Sequence, residues 1–288
     1  GVDNLNSYYD VQLKKNRLLD LNKSELFTFH EVDISNREKI SESFKSFKPN
    51  IVVNLAAQAG VRYSIENPYA YLDSNLIGFL NIIELCRHDK IDGLIYASSS
   101  SVYGGNKKIP FSTEDKTDDS LSLYGATKKS NELIANSYSH LYGLHTTGLR
   151  FFTVYGPWGR PDMAMYIFAN KIILNEPLPV FNNGDMQRDF TFVSDIVSGI
   201  RAAIDNNYKK EIFNLGNSKS ENLMDMIALL EKYLNKKAII NLLPMQKGDV
   251  KQTFADIGYS SKKLGYMPKT KLKDGVKSFI EWYKKYHS

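Results

Sequence analysis

One cysteine, Cys86, stands among 288 residues. It lies inside an apolar stretch of helical period, so no disulfide framework exists, and a reducing cytoplasm is expected. No apolar run approaches the ~18 residues of a membrane span, and Gly1 opens no signal-peptide pattern, so no membrane partner is expected. No tract of one charge occurs: 37 Lys and Arg against 32 Asp and Glu leave a net charge of +5. The basic pairs Lys14-Lys15, Lys107-Lys108, Lys128-Lys129 and Lys236-Lys237 are scattered. Scattered pairs read as solvated surface, and no nucleic-acid partner is expected. His30, His88, His140, His145 and His287 lack ligand spacing, so no metal site is expected. The 18 glycines contain no Gly-x-x-Gly-x-x-Gly. Gly156-Pro157-Trp158-Gly159 is no substitute, because proline lacks the N–H that a phosphate cradle needs.

What is present is a sizeable core, with 42% hydrophobic residues, and two alternating periods. "NIVVNLAA" (50–57), "GLIYASSSS" (93–101) and "TTGLRFFTV" (146–154) read as buried strands. Helical patterns lie between them: 36–47 capped by Ser35, 71–88, and 124–143 closed by Gly143. This alternation predicts an α/β fold with a doubly wound parallel sheet. Beyond about residue 155, short strands ("LPVFNN", "IFNLG", "AIINLL") mix with helices at 194–206, 220–235 and 271–286. The expected division is 1–155 and 156–288, with about 185–216 crossing back.

Ligands of such sheets sit beyond the carboxyl ends of the strands. One end carries Ser98-Ser99-Ser100-Ser101-Val102-Tyr103-Gly104, and Tyr124 and Lys128 follow four apart on one helical face. A phenol with a pKa of about 10 is a poor base at neutral pH, and a lysine cation one turn away favours phenolate. A serine hydroxyl at the strand end can hold a substrate oxygen while the proton moves.

Tyr124 and Lys128, with "SSSSVYG", "LAAQAGVRYS", "RFFTVYGPWGRPDMA" and "QRDFTFVSDI", resemble the extended short-chain dehydrogenase/reductase family. Within it the chain is most similar to NAD-dependent nucleotide-sugar 4-epimerases of the UDP-glucuronate branch. The resemblance covers essentially the whole sequence. It implies a Rossmann-like fold, NAD as cofactor, a UDP-sugar substrate and a homodimer formed through 71–88 and 122–142. It further implies Tyr124, Lys128, Ser99 and Ser100 as catalytic. Asp3, at the end of the opening strand, takes the adenosine ribose. A carboxylate there accepts two hydroxyls and repels a 2′-phosphate, which favours NAD over NADP. A first strand, a Gly-rich turn and a helix of about 30 residues are then expected before Gly1, and without them neither stable folding nor NAD binding is expected.

Further cofactor contacts implied are Asp33 and Ile34 beside adenine, Ala56, Ala57 and Gln58 at a strand exit, Asn75, Ser98, and Lys128 on the nicotinamide ribose. Asp33 reads equally as a helix cap, and Ala56-Ala57 as a tight strand exit. On the substrate side the resemblance implies Arg62, Ser99, Ser100, Ser101, Thr153, Arg160, Phe181, Arg188 and Asp249. Arg188 suits a pyrophosphate, or else pairs with Asp189. Phe181 suits a uracil, or else the core. Arg160 suits the C5 carboxylate of a uronate, or else pairs with Asp162. Thr153 and Gln246 stand where glucose-type epimerases carry Asn and a second Arg, and both departures resemble the uronate branch. Related dehydratases and decarboxylases carry an acid just before Val102, where this sequence has only hydroxyls. A dehydratase or decarboxylase, a neutral or N-acetylated sugar, and a non-catalytic NAD- or sugar-binding protein are the alternatives.

Overall fold

The computed structural model describes residues 1–246 and 249–288. The chain starts with β1 (Val2–Asp3), α1 (Val11–Leu21), β2 (His30–Glu31), α2 (Arg37–Phe47) and β3 (Ile51–Asn54). Two short helices, α3 (Tyr63–Glu66) and α4 (Pro68–Tyr71), run through a π-helical turn at Leu72–Ile77 into α5 (Gly78–His88). β4 (Gly93–Ser99), α6 (Leu123–Tyr142) and β5 (Thr146–Phe151) follow. Next come β6 (Thr153–Tyr155), α7 (Ala164–Leu174), β7 (Pro177–Val180), β8 (Gln187–Arg188), β9 (Phe190–Phe192), α8 (Val193–Asn206) and β10 (Lys210–Leu215). β11 (Glu221–Asn222), α9 (Leu223–Leu234), β12 (Ile239–Leu242), α10 (Gly258–Leu264) and α11 (Leu272–His287) complete the order.

The main sheet is parallel, in the order β10-β5-β4-β3. Side chains of β4 alternate between its faces. Leu94 and Tyr96 join Ile40, Phe79, Ile83 and Ala135 under α2, α5 and α6, while Ile95 joins Leu149, Ile196, Phe213 and Tyr266 under α8 and α10. Helices therefore cover both faces, the doubly wound, Rossmann-like arrangement. β1 and β2 pair only with each other, Val2 with His30 and Asp3 with Glu31. Among the described residues no strand joins that pair to β3. A separate core gathers Met165, Phe168, Leu178, Leu230, Val276 and Phe279 from α7, β7, α9 and α11.

Local differences from the sequence reading have physical reasons. Asn36, not Ser35, caps α2 by accepting from Lys39 N–H, because the Ser35 hydroxyl donates to Asp33 instead. The pattern over 71–88 is not one α-helix. Asn75, within the π-turn, accepts from Gln58 N–H at 2.8 Å and donates to Gln58 C=O and the Thr127 hydroxyl. The run at 146–154 breaks at Phe152, where Thr153 N–H donates to Asp189 C=O and β6 turns to pair with β9.

A buried ion pair knits β4, β5 and α6 together. Arg150 on β5 forks onto Glu132 of α6, Nε to Oε1 at 2.8 Å and Nη2 to Oε2 at 2.9 Å, with side chains 3% and 2% exposed. Ser98 donates to the same carboxylate, and Arg150 also donates to the Tyr103 hydroxyl. That hydroxyl donates to Asn214 on β10. Removing one partner of such a pair strands the other charge in a dry interior. Glu132→Gln is expected to cost about 3–5 kcal/mol, read as a lowered midpoint in urea. An unchanged midpoint would show that Arg150 finds another counter-charge.

Candidate active site

A cavity of about 840 Å³ opens at the carboxyl ends of β1, β3 and β4. Its wall on the β1 side holds Asp3, Asp33 and Ile34, and its floor holds Ala56, Ala57 and Gln58 just past β3. Ser98 and Ser99 at the end of β4 and Ser100 and Ser101 in the 3-10 turn that follows line it next, with Tyr124 and Lys128 of α6. Thr153, Arg160, Arg188 and Asp249 close the far side. Three expected site residues lie outside the lining. Asn75 is 1% exposed, and its amide is spent on Gln58 and Thr127. Arg62 and Phe181 face each other, the guanidinium 4.8 Å from the ring centroid.

The catalytic pair is set by the start of α6. Ser122 caps the helix by accepting from Gly125 N–H, which brings the first turn against the serine segment. A Cβ on Gly125 would stand 2.6 Å from the Ser101 carbonyl oxygen, so only glycine permits this approach. Ser99 Oγ accepts from Ser101 N–H at 3.1 Å and is fixed next to the phenol. Burial raises the Tyr124 pKa, opposed by a hydrogen bond with Ser99 and by the charge of Arg160. Lys128 shares the helical face, and its Nζ donates to Ala97 C=O at 2.8 Å.

The other expected contacts divide by what their side chains already do. Asp33 accepts from the Ser35 hydroxyl and N–H and from the Asn4 amide. Burial opposes its ionisation, yet these bonds hold its pKa below the ordinary carboxylate range. It does not cap α2. Asp3 accepts from Leu5 N–H at 2.7 Å. The Ser98 hydroxyl is spent on Glu132. Arg188 pairs not with Asp189 but with Asp249, Nη2 to Oδ1 at 2.7 Å. Burial lowers the Arg188 pKa, with Asp249 opposing. Asp189 faces inward, accepts from Asn217 and Ala255 N–H and the Thr191 hydroxyl, and burial pushes its pKa up to about 6. Arg160 makes the alternative pairing, a fork onto Asp162.

Three lining residues have no role in the sequence reading: Tyr8, Lys14 and Arg17, all from "NSYYDVQLKKNR". Lys14 donates to Asn6 C=O and Oδ1, each at 2.8 Å. Arg17 Nη2 donates to Trp158 C=O at 2.6 Å. The available signal was the spacing of Lys14 and Arg17, which places two cations on the side of α1 next to Asp3.

A phenol and a serine poised to move one proton, beside a strand-end floor able to take a dinucleotide, define the short-chain dehydrogenase/reductase class. The model of the NAD dependent epimerase/dehydratase family matches residues 1–216, and the chain belongs to that family. It is 53% identical to an uncharacterized protein of Methanocaldococcus jannaschii, over 98% of this chain and 87% of that protein. It is 46% identical to UDP-glucuronate 4-epimerase 4 of Arabidopsis thaliana, over 100% of this chain and 70% of that protein. The crystal structure of UDP-glucuronic acid 4-epimerase from Bacillus cereus in complex with UDP-glucuronic acid and NAD superposes with a TM-score of 0.93 at 34% identity, covering 99% of this chain and 90% of that one.

Lys128 is 3% exposed, and burial lowers its pKa from 10.5 to about 8. A lysine depressed on folding carries its full burial penalty below pH 8, and the penalty fades as pH climbs to 10.5. Lys128→Met, without added cofactor, is expected to be more stable than the parent at pH 7, by up to about 3 kcal/mol. The gain should shrink toward pH 10. Denaturant melts at both pH values check this, and a destabilised variant at pH 7 would show that the Ala97 hydrogen bond outweighs burial.

Proposed function

We propose that the protein is an NAD-dependent UDP-hexuronate 4-epimerase that interconverts UDP-glucuronate and UDP-galacturonate. The observation that carries this reading is the convergence of Tyr124, Ser99 and Arg160 on one cavity. The donor set fits the dinucleotide. Asp3 offers a carboxylate to a ribose, Ala56 and Ala57 leave the backbone open to close approach, and Lys128 stands beside Tyr124. When bound, NAD supplies a reversible hydride acceptor for C4.

The chain's own residues carry the rest. Tyr124 takes the C4 hydroxyl proton and returns it after the 4-keto sugar has turned its other face. Ser99 orients the oxygen during both transfers. Arg188 holds the pyrophosphate, with Asp249 as its partner in the free protein. Arg160 takes the C5 carboxylate. Residues 1–155 form the dinucleotide lobe and 156–288 mainly the sugar lobe. The segment 185–216 crosses back, a reading supported by β10 pairing with β5. A cytoplasmic setting is proposed from the lone, buried, free Cys86, and no described helix is long and apolar enough to cross a membrane.

Tyr124→Phe removes only the ionisable hydroxyl. Turnover of UDP-glucuronate is expected to fall by at least about 10²-fold, the scale of a general base. UDP-glucuronate affinity by calorimetry should hold. Near-normal turnover would mean that another group takes the proton.

We also infer a homodimer through α5 and α6. Leu80, Leu133 and Leu141 are 44%, 56% and 65% exposed there, apolar side chains that a second copy of the helix pair would cover. Sedimentation should give twice the monomer mass, and Leu133→Glu should halve it. A parent protein that sediments as a monomer at micromolar concentration would refute the dimer.

A further inference from the structure

Arg160 is held in a fixed pose by groups from two distant parts of the chain. Its Nε donates to Asp162 Oδ1 at 3.0 Å and its Nη2 to Oδ2 at 2.7 Å, a side-on fork. Tyr8, on the loop between β1 and α1, donates its hydroxyl to the same Oδ2 at 3.2 Å. Tyr8 is itself seated on Tyr63, with ring centroids 4.7 Å apart. A guanidinium has five N–H donors in a planar fork. The side-on pair leaves both Nη1 protons and a second Nη2 proton, which meets only the weak thioether acceptor Met163 Sδ at 3.8 Å, so the end-on edge can still take another carboxylate. The ion pair is only partly exposed, 30% for Arg160 and 25% for Asp162, so the fork is well suited to keep its orientation.

We propose that Asp162 and Tyr8 form a brace whose task is to aim the end-on edge of Arg160 at the substrate's carboxylate. The brace thereby sets both the affinity for an acidic sugar and the fate of its keto intermediate. The inference rests on the assignment of Arg160 to the C5 carboxylate. The second half follows from the chemistry of a 4-keto uronate, which is a β-keto acid. If its carboxylate rotates so that the C5–carboxyl bond lines up with the C4 carbonyl, that bond breaks. Its electron pair forms the enolate of C4 and C5, CO₂ leaves, and C5 takes up a proton. A guanidinium fixed in its plane holds the carboxylate out of that alignment. A loose one does not. Asp162 and Tyr8 touch no reacting atom, so they are positioning residues.

The test compares an acidic with a neutral ligand. For Asp162→Asn, the dissociation constant of UDP-glucuronate is expected to rise about fivefold to tenfold, the size of one lost part-buried fork. That of UDP-glucose should stay within about twofold, since it offers no carboxylate. Tyr8→Phe keeps the ring on Tyr63 and removes one hydrogen bond, so its effect should be about twofold to threefold in the same direction. Both variants should release more UDP-4-keto-pentose or UDP-pentose per epimerisation than the parent, read by mass spectrometry. Tighter UDP-glucuronate binding by Asp162→Asn would mean that Asp162 competes with the substrate, and would overturn the brace. Equal losses on both ligands would make the pair mere scaffold and overturn it too. Arg160→Leu separates the two levels. If it weakens both ligands alike, the carboxylate role of Arg160 falls and takes the brace with it. If it is selective for the uronate while Asp162→Asn is not, the brace alone falls.

Discussion

The geometry of the site depends on one buried ion pair. Glu132 and Arg150 join the middle of α6 to the centre of the parallel sheet, and Ser98 at the end of β4 donates to the same carboxylate. α6 carries Tyr124 and Lys128, and β4 runs into Ser99. The distance between phenol and serine is thus governed by an electrostatic contact two turns of helix away. Desolvating two charges is costly, and a hydrophobic pair of the same volume would serve stability as well. What an apolar pair lacks is direction. A guanidinium fork fixes the rotation and slide of α6 against the sheet, and Tyr103 extends that fix to β10 through Asn214.

Electrostatics around the phenol follow from the same burial. A tyrosine and a lysine one helical turn apart suggest a local charge effect, but the lysine spans to the Ala97 carbonyl and is itself depressed by desolvation. Arg160, whose charge favours the Tyr124 phenolate, stands on the loop after β6 and not on α6. A cleft that assembles its acid–base chemistry from both walls is sensitive to how those walls meet.

Sequence alone carried the strand–helix alternation of the first half, because buried parallel strands are short β-branched runs and the helices between them are periodic. It carried the serine strand end and the Tyr124–Lys128 spacing for the same reason, since local chemistry sits at fixed offsets. It missed α1, α7 and α10. α1 has Lys14, Lys15 and Arg17 within one turn and little apolar contrast, so its period is faint. α7 is apolar on nearly all sides, which hides a period altogether. The split at Phe152 was illegible because both halves of "TTGLRFFTV" favour strand, and only Asp189, far along the chain, says where the second half pairs. The Asn75 amide shows the limit for site residues. Its position is near the cavity, but its partners, Gln58 and Thr127, are tertiary.

The fastening of α1 has a mechanical consequence. Asn16 of α1 donates to the Tyr286 hydroxyl of α11, and Arg17 donates to the Trp158 carbonyl, whose ring lies 5.4 Å from that of Tyr286. The first helix of the chain is thereby riveted to the last, on the far rim of the cavity from α6. A cleft free along one edge opens like a book. This one is hydrogen-bonded along that edge as well, so a swing of whole lobes would have to break the Asn16–Tyr286 and Arg17–Trp158 contacts, whereas flexing of the rim loops would leave them intact.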